Sequence, residues 1–190
     1  MLRQPPRSLS IPVTAQINVT ADGFCNHDDV AIDDDFMRFA ATCIDEADRL
    51  VLGRKTYDLF VAHWPAAAKD KSLPEAEQAL GRAIDGTPRT VVSRSLAHSD
   101  WAGTDLLADL DADRAATLAA SDDLLILGSP SIIDQFAGWG LLDRLLLSVH
   151  PLLGRSGHRL FEKGHAEGMI YVGSTSTGAD IRTLEFARPS

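Results

Sequence analysis

The stretch from Asp122 to Phe136, Asp-Asp-Leu-Leu-Ile-Leu-Gly-Ser-Pro-Ser-Ile-Ile-Asp-Gln-Phe, constrains the fold of this chain more than any other. Leu124 to Leu127 run without polar interruption, as a strand buried on both faces does. Gly128 stops the strand, Ser129 suits a helix N-cap, and Pro130 fits the first helical position, where a missing N–H costs nothing. Ile132, Ile133 and Phe136 then share one apolar face of a short helix that Gly138 can end. Strand, glycine turn and helix start together gather free backbone N–H groups and a positive dipole end at one spot, a geometry that receives phosphate. An ordinary strand-to-helix turn of an α/β domain reads the same way.

The pattern recurs along the chain. Residues 1–10 form a loose polar lead, and Ile11 to Val19 reads as a first strand, with Val13, Ala15, Ile17 and Val19 alternating against Thr14, Gln16 and Asn18. Asp22-Gly23 is a turn and Phe24 to Asp29 a loop. Asp33, Asp34 and Asp35 can cap a helix whose inward stripe is Phe36, Phe39, Ala40, Cys43 and Ile44. Arg49 to Leu52 is a second strand, closed by Gly53, and Arg54-Lys55-Thr56-Tyr57 opens a helix. Residues 64–88 read as a polar connection holding a modest helix from Pro74 to Ile84. Further strands are expected at Arg89–Val92, Thr104–Leu107, Leu124–Leu127 and Leu145–Val149, with an alanine-rich helix at Asp111–Ala120. A Gly-rich loop at 154–157 follows, and Met169–Thr175 with Ile181–Phe186 makes a closing hairpin around Gly178.

Strands alternating with helices and ending in a hairpin imply an α/β domain. Its sheet is mainly parallel but mixed, of about eight strands, with helices on both faces and an antiparallel C-terminal edge. With 190 residues the expectation is a single domain over 1–190. Two cysteines, Cys25 and Cys43, provide neither a disulfide framework nor zinc spacing, so no metal is expected, including at the Cys25, His27, Asp28, Asp29 loop. A net charge of −9 argues against nucleic acid as a partner. No apolar run nears the ~20 residues that span a bilayer, and the N-terminus has no secretory pattern, so a cytoplasmic location without membrane contact is expected.

In parallel sheets ligands bind beyond the carboxyl ends of the strands. Three such ends are chemically unusual here: Gly53-Arg54-Lys55-Thr56, Ser93-Arg94-Ser95 and Gly128-Ser129-Pro130-Ser131. Together with Asp22-Gly23, Tyr57, Leu141-Leu142-Asp143-Arg144-Leu145, Val149-His150-Pro151-Leu152-Leu153-Gly154 and Leu160-Phe161, their order and spacing resemble the dihydrofolate reductase-like fold. The nearest resemblance is to the C-terminal reductase domain of the bifunctional riboflavin-pathway deaminase–reductase and its stand-alone bacterial forms.

That resemblance implies NADPH as hydride donor and a small-molecule heterocycle as substrate, the reaction being of the 5-amino-6-(5-phosphoribosylamino)uracil reductase type. It places Gly53, Arg54, Lys55 and Thr56 at phosphates on the adenosine side, Ser93 and Arg94 at the 2′-phosphate, and Gly128, Ser129, Ser131, Ile132 and Ile133 around the pyrophosphate. Arginine's planar fork of donors suits phosphate oxygens, and glycine permits close backbone approach. Dihydrofolate reductases carry paired glycines where this chain has Gly128-Ser129, and a carboxylate four residues before an aromatic, a spacing that Asp35 and Phe39 repeat. Asp35 is therefore expected either as a buried substrate acid or as one of three capping aspartates. The riboflavin-pathway reductase implies Asn18 as a substrate residue and Asp22 as an early acid. A dihydrofolate reductase, and a nucleotide-binding protein of this fold without turnover, remain alternatives. A homodimer is expected from the family and from the leucine density of Leu141–Val149.

Overall fold

The computed structural model describes residues 13–27, 30–154, 157–162 and 168–189. The expected lead, the start of the first strand at Ile11, Asp28 and Asp29 of the metal-candidate loop, and Arg155 and Ser156 of the Gly-rich loop lie outside them. In chain order the elements are β1 (Val13–Thr20), α1 (Asp34–Asp45), β2 (Arg49–Gly53), α2 (Arg54–Ala67) and α3 (Glu75–Gly86). Then come β3 (Arg89–Val92), β4 (Thr104–Leu107), α4 (Ala112–Ser121), β5 (Leu124–Leu127) and α5 (Pro130–Gly138). β6 (Arg144–His150), β7 (Ile170–Ser176) and β8 (Arg182–Ala187) end the fold. The eight strands form one sheet in the order β4-β3-β2-β5-β1-β6-β8-β7. Pairing is parallel from β4 through β6, and antiparallel between β6 and β8 and between β7 and β8.

Period-2 alternation sorts the strand residues onto two covered faces. Val13, Ala15, Ile17, Val19, Val51, Leu124 and Ile126 pack with Ala115 and Ala119 of α4 and Ile132, Ile133 and Phe136 of α5. Leu50, Leu52, Leu125 and Leu127 turn the other way, toward Phe36, Ala40 and Ile44 of α1, Tyr57 of α2, and Leu80 and Ile84 of α3. All four residues of β5 are buried, as an uninterrupted apolar run between two helical layers requires.

Two expectations change. Residues 64–67 belong to α2, which continues through Pro65 to Ala67. Tertiary packing holds the turn that proline weakens: a Cβ on Gly81 would stand 2.7 Å from the Ala68 nitrogen, so only glycine lets α3 approach so closely. The leucines of 141–149 also find their place inside the chain. β6 is an interior strand between β1 and β8, and Leu142, Leu145 and Leu146 are buried within the protomer, while Leu141 and Leu147 are half-buried. The large apolar side chains left exposed on the sheet lie instead on its two edge strands, at Leu106 of β4 and at Ile170, Tyr171 and Val172 of β7.

Candidate active site

The sheet opens at the carboxyl end of β5. β1 has β5 on one side and β6 on the other, but β5 stops at Leu127, opposite Gln16, while β6 runs on to His150, opposite Thr20. The chain leaves β1 and β2 toward the face of α1 and α2, and leaves β5 toward the opposite face, through α5. Such a divergence leaves a crevice at the strand ends.

Ser129 joins two of the three junctions at this crevice. Its hydroxyl accepts from the Gly53 N–H at 2.6 Å and lies 3.1 Å from the Thr56 hydroxyl. Ser129 is buried, and a Cβ on Gly53 would stand 2.8 Å from its Oγ, so a side chain there would push the two loops apart. Gly128 adopts φ +60°, a left-handed conformation that glycine reaches without strain, and donates its N–H to the Gln16 carbonyl at 3.0 Å. Ser129 occupies the N-cap position of α5, but its side chain faces β2 and caps nothing; α2 likewise starts without a side-chain cap. Two helix starts with no side-chain cap thus converge on one spot, where their dipoles favour an anion. Ile132 and Ile133 serve the cradle from below, with buried side chains and N–H groups donated to the Ser129 carbonyl. Ser131 is exposed at the mouth.

This bridge is testable. Ser129→Ala leaves the Gly53 N–H without its acceptor, at a cost of about 1–3 kcal/mol. Urea unfolding should show the midpoint lowered at unchanged slope, and a loss under about 0.5 kcal/mol would mean that the two junctions do not depend on the hydroxyl.

The cations are not equivalent. Arg54 is tied along its own helix, its Nε 2.8 Å from both Asp58 oxygens. Arg94 and Lys55 are exposed, and among the described residues neither enters an ion pair. Ser93 shapes the loop that carries Arg94: its buried hydroxyl accepts from the N–H groups of Ser95 at 3.3 Å and Leu96 at 3.1 Å.

The expected acids fare differently from their reading. Asp35 lies in the first turn of α1 with its side chain 75% exposed and takes a hydrogen bond from Arg38 at 2.8 Å. It is a surface residue of that turn, because the capping geometry turns Asp33 inward instead. Asp33 accepts from the Phe36 N–H at 2.8 Å and, across the fold, from the Ala179 N–H at 2.6 Å, tying α1 to the β7–β8 turn. Asp22 accepts from the Gly154 N–H at 2.9 Å and the Thr20 hydroxyl at 2.6 Å, and those bonds hold its carboxyl below the usual carboxylate range. Arg159 donates to the Asp22 carbonyl and lies over the Phe24 ring. Asp22 is thus an ionised clasp between two loops, poorly placed to donate a proton.

The polar residues that sequence reasoning passed over lie under α1. On that face of the sheet Gln16, Ser148, Thr183 and Thr177 are buried in one connected row, with half-buried Asn18 at its open end. His150 ends the same face of β6, also buried, its Nε2 without a partner among the described residues and its ring edge-on to Phe36. Burial pushes its pKa down, against the pull of Asp33, and the imidazole is neutral at pH 7. The one signal of this row in the sequence is the polar half of the β1 alternation, which in a sheet covered on both faces cannot face water.

The profile of the RibD C-terminal domain matches residues 12–183. The chain belongs to the RibD C-terminal domain family. It is 26% identical over 157 residues to the uncharacterized protein YyaP of Bacillus subtilis (strain 168), covering 78% of this chain and 79% of that one. Among solved structures it resembles a proposed riboflavin biosynthesis protein from Shewanella sp. PV-4, with a TM-score of 0.64 at 17% identity over 94% of this chain and 99% of the other. That likeness bears on the fold, the dihydrofolate reductase-like arrangement of a mostly parallel eight-stranded sheet with a C-terminal hairpin. The RibD C-terminal family is reductase-like. Among the described residues no helix is long and apolar enough to cross a membrane.

Proposed function

We propose that this RibD C-terminal domain protein is an NADPH-dependent reductase of a small heterocycle, of the riboflavin-pathway pyrimidine reductase type. The observation that carries the reading is the convergence of two helix starts without side-chain caps, bridged by Ser129, at the carboxyl ends of β2 and β5, next to half-buried Asn18. The residues present suit a dinucleotide. The starts of α2 and α5, with Thr56, Ser131 and the Gly53 and Gly128 turns, would hold the pyrophosphate and its neighbours, and Arg94 the 2′-phosphate. Lys55 adds an exposed cation at the same junction. The cofactor supplies the hydride. The protein's own part would be to bind the cofactor and the substrate, with Asn18 as a contact from the strand floor, and to keep water from the polar row beneath α1. A homodimer belongs to the same proposal, the exposed apolar edge of β7 being the surface that supports it. The dihydrofolate reductase alternative loses its acid with the exposure of Asp35.

Titration with NADPH and NADH, followed by loss of reduced-cofactor absorbance over a panel of pterins, pyrimidines and quinones, tests this. Tight NADPH binding with turnover of a pyrimidine is the expected result. Binding without turnover on any of them turns the reading into that of a nucleotide-binding protein, and absence of NADPH binding removes both.

A further inference from the structure

We infer that His150 is a pH-sensitive latch on α1: neutral, it stays sealed beneath the first turn of that helix, and once protonated it forces the turn off the sheet and opens the clasp that Asp33 makes with the β7–β8 turn. Nothing in the latch depends on what the crevice binds.

His150 ends β6 opposite Thr20 of β1 and is 2% exposed. Its Nε2 has no hydrogen-bond partner among the described residues. Nearly every buried polar atom is paired, so one left alone on a titratable ring is a feature that needs a cause. The cover over it is Phe36, in the first turn of α1, whose ring centroid stands 6.0 Å from that of the imidazole.

One carboxylate fixes the same turn. Asp33 caps α1, with Oδ1 taking the Phe36 N–H at 2.8 Å and Oδ2 taking the Ala179 N–H at 2.6 Å. A Cβ on Gly178 would stand 2.8 Å from both oxygens, so only glycine seats the carboxylate this closely in the β7–β8 turn. The two N–H groups hold the Asp33 carboxyl below the usual carboxylate range, and it stays ionised while histidine titrates. Phe36 is thus gripped twice, through its N–H by Asp33 and through its ring by His150.

Few charges face the imidazole. β1 offers Thr20, whose hydroxyl is engaged by the Asp22 carboxylate at 2.6 Å and the Phe24 N–H at 3.0 Å. β8 offers the buried Thr183 hydroxyl, bonded to Ser148 and Thr177, and Arg182, which is exposed and turned to Ser174 and Ser176. On α1, Asp34 and Asp35 lie at the surface with Arg38, which leaves Asp33 as the charge acting on His150.

Burial outweighs that pull and pushes the imidazole pKa down. An opened chain takes the proton near 6.5 and the closed one only at lower pH. Closure is therefore fully favoured above about 6.5 and is lost as pH falls below it. A proton gained in place leaves a cation with an unmet N–H, against Phe36 and near the positive end of the α1 dipole. Both Asp33 oxygens already hold N–H groups. Water must reach the ring, and a helix end gives way before an interior strand does.

Amide hydrogen exchange on the full-length chain from about pH 7.5 to 5.5, across the range where histidine titrates, reads the latch directly. Each rate is divided by the intrinsic rate at that pH. The Phe36 and Ala179 N–H groups should exchange more readily than those of Leu125 and Ile126 in β5. Their protection should fall together below about pH 6.5, by up to roughly tenfold per pH unit for one proton. His150→Gln stays neutral and is close in size, and His150→Leu is apolar; in each the fall should shrink to about twofold or less over the whole range. Both variants keep the other five of the six histidines, so the difference belongs to position 150. The latch is overturned by wild type alone if Phe36 and Ala179 exchange only as fast as Leu125 and Ile126 at every pH, which means global unfolding, or if their protection does not change with pH. A variant that keeps the wild-type fall overturns it as well.

Discussion

Arg89→Ala is expected to cost about 3–5 kcal/mol, the largest loss of any single substitution discussed for this fold. Arg89 opens β3 fully buried; among the described residues it forms no ion pair, and the Asp85 carboxylate acts on it only through space. Its Nη2 donates to the carbonyls of Ile84, Asp85 and Thr87 at 3.0, 2.9 and 2.8 Å, and Nη1 to that of Ala102 at 2.9 Å. Ile84 and Asp85 belong to the last turn of α3, whose carbonyls have no helical partner and which forms the negative end of the helix dipole. The guanidinium therefore completes the end of a helix and the loop after it in one step. Trp101 lies over it at 3.7 Å and is held there by its own bond to Asp85 at 2.8 Å.

Removing the cation strands several buried carbonyls at once, and each costs a full desolvation penalty rather than the modest net value of a bond. For a chain of this length a melting temperature lower by roughly 10 °C follows. Arg89→Met separates the causes. It restores most of the volume and removes the burden of a buried charge, yet gives the carbonyls no donor, so it should recover less than half of the loss. Denaturant midpoints at constant slope decide this. An alanine variant that loses less than about 1 kcal/mol, or a methionine variant as stable as wild type, would mean that the carbonyls find other donors.

Most of the fold was legible because its elements are built from strong local patterns. The apolar run Leu124–Leu127 is β5 with the bounds expected, and Arg89–Val92 and Thr104–Leu107 are likewise β3 and β4. What escaped reading depends on which side of an element is covered. Residues 64–67 read as part of a polar connection, yet they extend α2 through Pro65, where Gly81 lets α3 pack against that turn. The leucines of β6 divide into buried Leu145 and Leu146 and half-buried Leu147 only once the neighbouring elements are in place. Three consecutive aspartates offered one spacing to a family pattern, but backbone geometry at the helix start chose Asp33 for the inward position and left Asp35 in water. Of the candidate site, the junctions at Gly53 and Gly128 could be read, since a glycine between an apolar run and a helix has few other uses. The Ser129 bridge, the Asp22 clasp and the Gln16 row could not, because each joins residues more than seventy positions apart.

Arg94→Ala is expected to weaken NADPH by roughly tenfold to a hundredfold and to leave NADH nearly unchanged. The two cofactors differ by one 2′-phosphate, with close to two negative charges at neutral pH. A chain of net charge −9 repels that group overall, so a preference for NADPH requires a local cation. Three cations stand near the junctions, and the geometry ranks them. Arg54 already has both Asp58 oxygens at 2.8 Å, and using it would cost that pair, so Arg54→Ala should change affinity less. Lys55 is exposed at the start of α2, beside the junction proposed to hold the pyrophosphate, and as a point charge it distinguishes the cofactors poorly. Arg94 is exposed, enters no ion pair among the described residues, and stands on a turn that the buried Ser93 hydroxyl braces through the Ser95 and Leu96 N–H groups. Its planar fork loses little freedom on meeting a phosphate. Because the side chain is exposed, the interaction is screened, and the wild-type preference for NADPH should shrink as salt rises. Ser93→Ala should weaken NADPH as well, by loosening the turn while leaving the cation in place, and its effect should be smaller than that of Arg94→Ala. Fluorescence titration with both cofactors at two salt concentrations reads all of this. Equal binding of the two cofactors by wild type, or equal loss of both in Arg94→Ala, would remove Arg94 as the 2′-phosphate ligand.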